Sequence, residues 1–435
     1  MPNRLQIEIR ESKELSPNWF KRRKIAEEKD NGSVEKTVKE IIASVRERGD
    51  AALLEYTEKF DNVKLTSKDL EVTPSEIKAA YKSVADEQVA ALRLMKEKLE
   101  FLEKKTLQRQ SAKTTRDGIT VQTVLRPLES VGCYVPGGQA VYPSTLIMTA
   151  APAKIAGVQR VVVCSPPSDK GTINPLILIA ADICGVNEIY KVGGVQAVAA
   201  LAYGTQTIKP VRKIVGPGNK YVTEAKTMVS QDVAIDMPAG PSEVLVLADE
   251  SADAKLVAAD MISQAEHGAD SIAGLITTSE KLKDEVRVWL DKLLTKAERA
   301  EIVQKALSTH GFIITCSNNE EMASLANAFA PEHLEIITKT PKEVATEITS
   351  AGLILLGPFS PVALSDYGSG TNHVLPTGGY GYTFSGLSVL DFVRRVSVVE
   401  SSKEGLQKIK PSIKVLTEAE RLPNHYKAAE ARFES

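Results

Sequence analysis

Ile189-Tyr-Lys-Val192-Gly-Gly-Val-Gln196-Ala197-Val-Ala-Ala-Leu-Ala-Tyr203, followed by Ile214-Val215-Gly216-Pro-Gly218-Asn219, decides the fold class. A short apolar run ends in glycine, an alanine-rich stretch follows, and a second short run ends in glycine and proline. Strands this short and this apolar are buried on both faces, and the helix between them makes the crossover that parallel pairing needs. The same alternation extends outward from this stretch. Val161–Cys164 is a further strand, and Leu146–Ala156 and Leu176–Ile183 are further helices. A second set begins at Val244–Ala248 and continues with a helix through Met261, then Ile272–Thr277, a charged helix near 280–294, Phe312–Thr315 and Leu353–Leu356. The chain is therefore α/β with two parallel sheets. Residues 1–30 look like an extended arm, 34–110 are helical, and the chain beyond about 400 is short, charged and helical.

A chain of 435 residues exceeds what one core organises, so two or more domains are expected. With 43% hydrophobic residues the sequence can fill such cores. The 54 basic and 56 acidic side chains leave a net charge of -2, which argues against a nucleic-acid partner. The Lys21-Arg22-Arg23-Lys24 run is answered at once by Glu27, Glu28 and Asp30 and reads as a solvated face. No uncharged apolar run approaches the ~20 residues of a membrane span, and the N-terminus lacks a secretory core. Cys133, Cys164, Cys184 and Cys316 show no paired spacing, which points to buried thiols in a reducing, cytoplasmic setting.

Chemistry concentrates around histidine. Four of only five histidines sit in short polar segments: Ser263-Gln-Ala-Glu-His267, Pro331-Glu332-His333-Leu334, Asp366-Tyr-Gly-Ser-Gly-Thr-Asn-His373 and Arg421-Leu-Pro-Asn-His425. Gln264 and His267 are three apart at the end of a helical pattern, so an amide oxygen and an imidazole share a face. Either they hold an ion or His267 caps the helix end before Gly268. Glu332 and His333 are two neighbouring proton-transfer groups, on a loop or the first turn of a helix behind Pro331. The Asp366–His373 loop combines acid, hydroxyls, amide and imidazole with glycines that let backbone approach a ligand. Gly216-Pro-Gly-Asn219 lies between strand and helix, where nucleotide phosphates bind in open sheets. The usual Gly-x-Gly-x-x-Gly with its acid ~20 residues on is absent. Ser242 lies on a tight turn before a strand, with no base evident beside it.

Together these segments resemble the histidinol dehydrogenase family, enzymes of the last steps of histidine biosynthesis. The resemblance runs from about residue 34 to 432. It rests on Val131-Gly-Cys-Tyr-Val-Pro-Gly-Gly138, Gly216-Pro-Gly-Asn-Lys-Tyr-Val222, Ile235-Asp-Met-Pro-Ala-Gly-Pro-Ser-Glu243, Ser263-Gln-Ala-Glu-His-Gly268, Pro331-Glu-His-Leu334 and Asp366 through Thr377.

The resemblance implies two incomplete Rossmann-like parallel-sheet domains, one of residues 31–133 plus 244–387 and one of 134–243. Residues 1–30 are expected as an arm and 388–435 as a helical tail that crosses to the partner in a domain-swapped homodimer. It further implies one zinc per subunit held by Gln264, His267, Asp366 and His425, and NAD contacts from Tyr134, Gln196 and Asn219. The expected substrate is L-histidinol, contacted also by Ser242, His373 and Glu420. In that reading His333 takes the hydroxyl proton, and Glu332 activates water on the bound aldehyde before a second hydride transfer.

Two rivals are distinguishable. Zinc-dependent dehydrogenases of sulfonated diols lack the tail that carries Glu420 and His425. A zinc hydrolase driven by Glu332 would leave the glycine-rich loops of 134–243 without a task.

Overall fold

The computed structural model describes residues 5–16, 19–20, 31–137 and 141–434. Most of the expected arm, including the Lys21–Lys24 run, lies outside them, as does Gly138 of the Pro136-Gly-Gly turn. Among the described residues the strands run β1 (Glu8–Glu11), β2 (Ala112–Arg116) and β3 (Ile119–Pro127), then β4 (Ser130–Tyr134), β5 (Arg160–Ser165), β6 (Glu188–Lys191), β7 (Lys213–Val215) and β8 (Ala234–Ile235). They continue as β9 (Glu243–Ala248), β10 (Ile272–Thr277), β11 (Phe312–Thr315), β12 (His333–Ile337), β13 (Leu353–Leu356) and β14 (Val393–Ser401).

The apolar runs form two all-parallel sheets, in the orders β6-β5-β4-β7-β8 and β1-β11-β10-β9-β12-β13. With β1 set aside, the two share one topology: third, second, first, fourth, fifth in chain order. Each sheet reverses its direction of growth beside its first strand, between β4 and β7 and between β9 and β12. Such a reversal opens a crevice at the strand ends.

Residues 31–108 depart from the expected grouping with 244–387. The helix Asn31–Arg48 packs on helices Gly194–Tyr203 and Lys220–Val229, Pro74–Ser83 on Pro175–Ile183, and Asp86–Gln108 on Pro143–Ala156. Val34, Val38, Ile41 and Val45 accordingly share a core with Val162, Val192 and Val198. The cause is hydrophobic: the helix Pro143–Ala156 is buried almost all round, from Ser144 through Ala153. A helix apolar on every side needs a second layer over it, and the amphipathic helices upstream supply that layer.

Two further features depart from the sequence reading. Part of the arm is a strand: β1 pairs with β11, and the Leu5 N–H donates to Asp291 Oδ1 at 3.0 Å. The tail is not wholly helical, because β14 pairs antiparallel with β3 over nine residues before helices Lys403–Ala419 and Pro423–Glu430 pack on each other. Its four valines, at 393, 396, 398 and 399, follow no clean period of 2, and the segment becomes a strand because the edge of β3 lies beside it. No helix among the described residues is long and apolar enough to cross a membrane. All four cysteines are free, and burial pushes the thiols of Cys133, Cys184 and Cys316 up to about 12. Neutral thiols of this kind are packing groups.

Candidate active site

Pro331-Glu332 form a short loop that leads into a strand rather than a helix. The Leu334-Glu335-Ile336-Ile337 sequence that follows is taken up between β9 and β13. His333 is thus the first residue of β12 and lies opposite Val244 of β9, whose first residue is Glu243. The two strand starts hold one another. Glu243 N–H donates to Glu332 Oε2 at 2.7 Å, Glu332 N–H donates to Glu243 Oε2 at 3.3 Å, and Gly378 N–H donates to Glu243 Oε1 at 2.9 Å.

This frame decides the state of His333. Its Nδ1 is 3.2 Å from the Glu243 carbonyl oxygen, which can only accept, so Nδ1 carries the proton. Its Nε2 is buried with no hydrogen-bond partner among the described residues and lies 3.8 Å from Asp366 Oδ1. Burial opposes protonation of His333, but the carboxylates of Glu332 and Asp366 outweigh it and hold the imidazole above its ordinary value. A fixed tautomer with its free lone pair facing a carboxylate-lined space is the arrangement a general base requires.

Asp366 is presented by the short helix Val362–Tyr367, whose first N–H donates to Glu335 Oε1 at 2.8 Å. Glu335 lies two residues beyond His333, on the same face of β12. Burial drives its carboxyl well above the usual range, and the neighbouring Asp260 carboxyl on helix Ala254–Ala265 raises it further. That buried acid pair ties together three elements: the strand carrying His333, the helix carrying Asp366 and the helix carrying Gln264. His373 closes the group from above. Its Nδ1 is 3.7 Å from Asp366 Oδ1 and its Nε2 3.5 Å from Thr145 Oγ1, and burial lowers its basicity.

Gln264 is buried in the last turn of its helix, and the His267 N–H donates to its carbonyl at 3.3 Å. His267 opens on a cleft of about 370 Å³ lined also by Tyr142, Glu266, Arg299 and Tyr367. Ser242 sits directly before β9, its carbonyl accepting from Ile272 N–H at 2.9 Å. Glu420 and His425 are exposed on the tail and do not join this cluster within their own chain. No group of three His, Cys, Asp or Glu side chains able to hold a metal occurs among the described residues. The donors that one chain does offer are an amide, an imidazole and a carboxylate. They suit a zinc site that keeps positions open for a further ligand and for substrate.

Tyr134, Gln196 and Asn219 gather elsewhere, at the carboxyl edge of the five-stranded sheet beside its reversal point. Tyr134 ends β4 and its hydroxyl accepts from Gly194 N–H at 3.2 Å. Gln196 Oε1 is buried without a partner among the described residues. Asn219 caps helix Lys220–Val229, accepting from Tyr221 and Val222 N–H at 3.0 and 3.2 Å. Gly216 adopts φ 116°, and a Cβ there would come to 2.1 Å from the Tyr134 carbonyl oxygen, so no side chain fits. The loop is pinned by a buried ion pair: Lys226 Nζ donates to the Gly216 carbonyl at 2.8 Å, and Asp236 Oδ2 accepts from Gly216 N–H at 2.7 Å. A narrow cradle of glycine with an unpartnered amide beside it fits a dinucleotide.

The His333 cluster therefore stands on the amino edge of one sheet and the glycine cradle on the carboxyl edge of the other. They are joined by the Asp366–His373 loop, where Asn372 Nδ2 donates to the Met148 carbonyl at 2.7 Å. Sequence reasoning missed Glu243 as a frame, the Asp260–Glu335 pair and the Lys226–Asp236 pair. Nothing in the sequence sets these charges apart from solvated ones.

Fold and site together define an α/β enzyme with a buried imidazole, His333, among carboxylates. The family model described as histidinol dehydrogenase matches residues 24–433. The chain is 48% identical to histidinol dehydrogenase of Methanocaldococcus jannaschii over 398 residues, covering 91% of this chain and 92% of that protein. It is 46% identical to the Clostridium acetobutylicum enzyme over 415 residues, covering 95% and 96%. The crystal structure of histidinol dehydrogenase from Elizabethkingia anophelis superposes with a TM-score of 0.90 at 37% identity, covering 99% of this chain and 98% of that one. The chain belongs to the histidinol dehydrogenase family.

Proposed function

We propose that this enzyme oxidises L-histidinol to L-histidine in two successive hydride transfers to NAD, with L-histidinaldehyde retained between them. The observation that carries this reading is His333: its Nδ1 is anchored on the Glu243 carbonyl and its Nε2 lone pair is free beside Asp366. Gln264, His267 and Asp366, with His425 contributed across a homodimer, would hold zinc; Tyr134, Gln196 and Asn219 would receive NAD. When bound, zinc supplies positive charge that orients the amino alcohol, and NAD supplies the hydride acceptor.

The chain's own residues do the proton work. His333 Nε2 takes the hydroxyl proton as the first hydride leaves the carbinol carbon. Glu332 keeps Oε2 on the Glu243 N–H, which leaves its other oxygen to take a proton from water adding to the aldehyde. Ser242, His373 and Glu420 complete the substrate contacts, Glu420 answering the ammonium group from the neighbouring tail. The tail supports such a crossing, since Val396, Val398, Val399, Val415, Leu416 and Leu422 are exposed on it. Exposed apolar patches of this kind mark interfaces. The free thiols accord with a cytoplasmic enzyme.

Two NADH per L-histidinol consumed are expected, with activity abolished by chelation and restored by zinc. One NADH per substrate, or full activity after complete metal removal, would overturn the assignment. Glu332→Gln is expected to spare the first NADH and stall at the aldehyde, read as a single turnover equivalent in rapid mixing. Equal loss of both half-reactions would remove the division of labour between Glu332 and His333.

A further inference from the structure

The carboxyl edge that holds Tyr134 and Gln196 contains an acid that the reaction above does not use. Asp61 is the last residue of helix Asp50–Asp61. A carboxylate there faces the negative end of the helix dipole. Burial pushes its carboxyl up to about 6, its Oδ2 is buried without a hydrogen-bond partner, and no ion pair reaches it among the described residues. It lies close enough to Tyr134 that, after burial, its charge helps to hold the phenol up at about 12. An acid placed against dipole, solvent and counter-charge at once destabilises the free protein, and such groups concentrate where a ligand answers them.

It is not alone. Of the eight side-chain atoms buried without a partner among the described residues, four belong to elements that meet at this corner. These are Thr57 Oγ1 one turn before Asp61, Asp61 Oδ2, Ser165 Oγ at the end of β5, and Gln196 Oε1. Tyr134 stands opposite Cys164 in the sheet, next to Ser165, and its hydroxyl meets Gly194 two residues before Gln196. Buried polar atoms are almost always paired, so a cluster of exceptions points to donors the protein does not itself supply. The dinucleotide folds place an acid ~20 residues past the first glycine turn to receive ribose hydroxyls. Here the second strand ends in Ser165-Pro166-Pro167 and offers none.

We propose that Asp61, brought in by a helix outside the sheet, accepts the vicinal hydroxyls of the adenosine ribose and thereby selects NAD over its 2′-phosphorylated form. A vicinal diol offers two donors to one carboxylate, whereas a 2′-phosphate would bring like charge against a carboxylate that has no ion-pair partner among the described residues. The proposal rests on the NAD-linked reading of this edge.

The test compares kcat/KM for NAD and for NADP with L-histidinol, in wild type and Asp61→Asn. Loss of a charge-assisted hydrogen bond is expected to raise KM for NAD by roughly tenfold or more. KM for NADP should fall, so that the NAD/NADP preference collapses. The apo melting temperature of Asp61→Asn should rise, because the unpaired charge is gone, while the upward shift given by saturating NAD shrinks. Thr57→Val, which keeps the acid, should retain the preference for NAD. An unchanged NAD/NADP ratio in Asp61→Asn, or a loss of preference in Thr57→Val equal to it, would overturn the assignment to Asp61. Wild type that reduces neither nucleotide would overturn the dehydrogenase reading itself and this proposal with it.

Discussion

Replacement of His333 by asparagine is expected to slow the first NADH by about 10²–10⁴-fold, the contribution of a well-placed general base. The imidazole is held by Glu243 on one nitrogen and leaves the other free at 3.8 Å from Asp366. Asparagine is shorter and offers no lone pair basic enough to take an alcohol proton near neutral pH. Oxidation of supplied L-histidinaldehyde should be much less affected, since Glu332 and its hold on the Glu243 N–H remain. Stopped-flow absorbance with alcohol and aldehyde substrates separates the two. Loss of folding is excluded by an unchanged far-ultraviolet spectrum and melting profile. A first step within a few-fold of wild type would show that the proton leaves by another route.

The second large effect is on stability. Lys226→Met is expected to cost about 3–5 kcal/mol, because the ammonium and the Asp236 carboxylate are both buried and neither has water to fall back on. Asp236 would keep only the Gly216 N–H, and the Gly216 carbonyl would lose its donor. Pairing the change with Asp236→Leu should recover much of the loss, since it is the stranded charge that is expensive. Chemical denaturation of the three variants measures this. In the single variant KM for NAD should rise more than KM for L-histidinol, because the Gly216 loop belongs to the proposed NAD side. A cost below ~1 kcal/mol would mean that water reaches the pair in solution.

Much of this was legible in the chain. Strands such as Ile272–Thr277 and Phe312–Thr315 coincide with the apolar runs that predict them, because a strand buried on both faces needs no context to be recognised. The polar segments carrying Glu332, His333, Asp366 and His373 come together in the structure, with His333 beside Glu332 and Asp366 and His373 beside Asp366. Legibility fails where a partner is distant. Pro331-Glu332-His333 is equally good as a helix start until β9 lies beside it. β14 has no strand identity without β3, some 270 residues earlier in the chain. The helices of 31–108 carry an apolar stripe that says they pack, but not on which sheet. Lys226, Asp236, Glu335 and Asp61 look like ordinary solvated charges in a string of letters. Only burial reveals that each was placed at a cost.

The parallel pairing of β1 with β11 also bears on how the molecule is made. The contact that ties down Leu5 joins residues 286 apart, so this early segment cannot settle until that much further chain has followed it from the ribosome. The five-stranded sheet, drawn from a stretch of about a hundred residues, can mature while that segment waits. Closure of the distant edge is therefore a late event in biogenesis, and an N-terminal tag would burden that final docking more than it would burden catalysis.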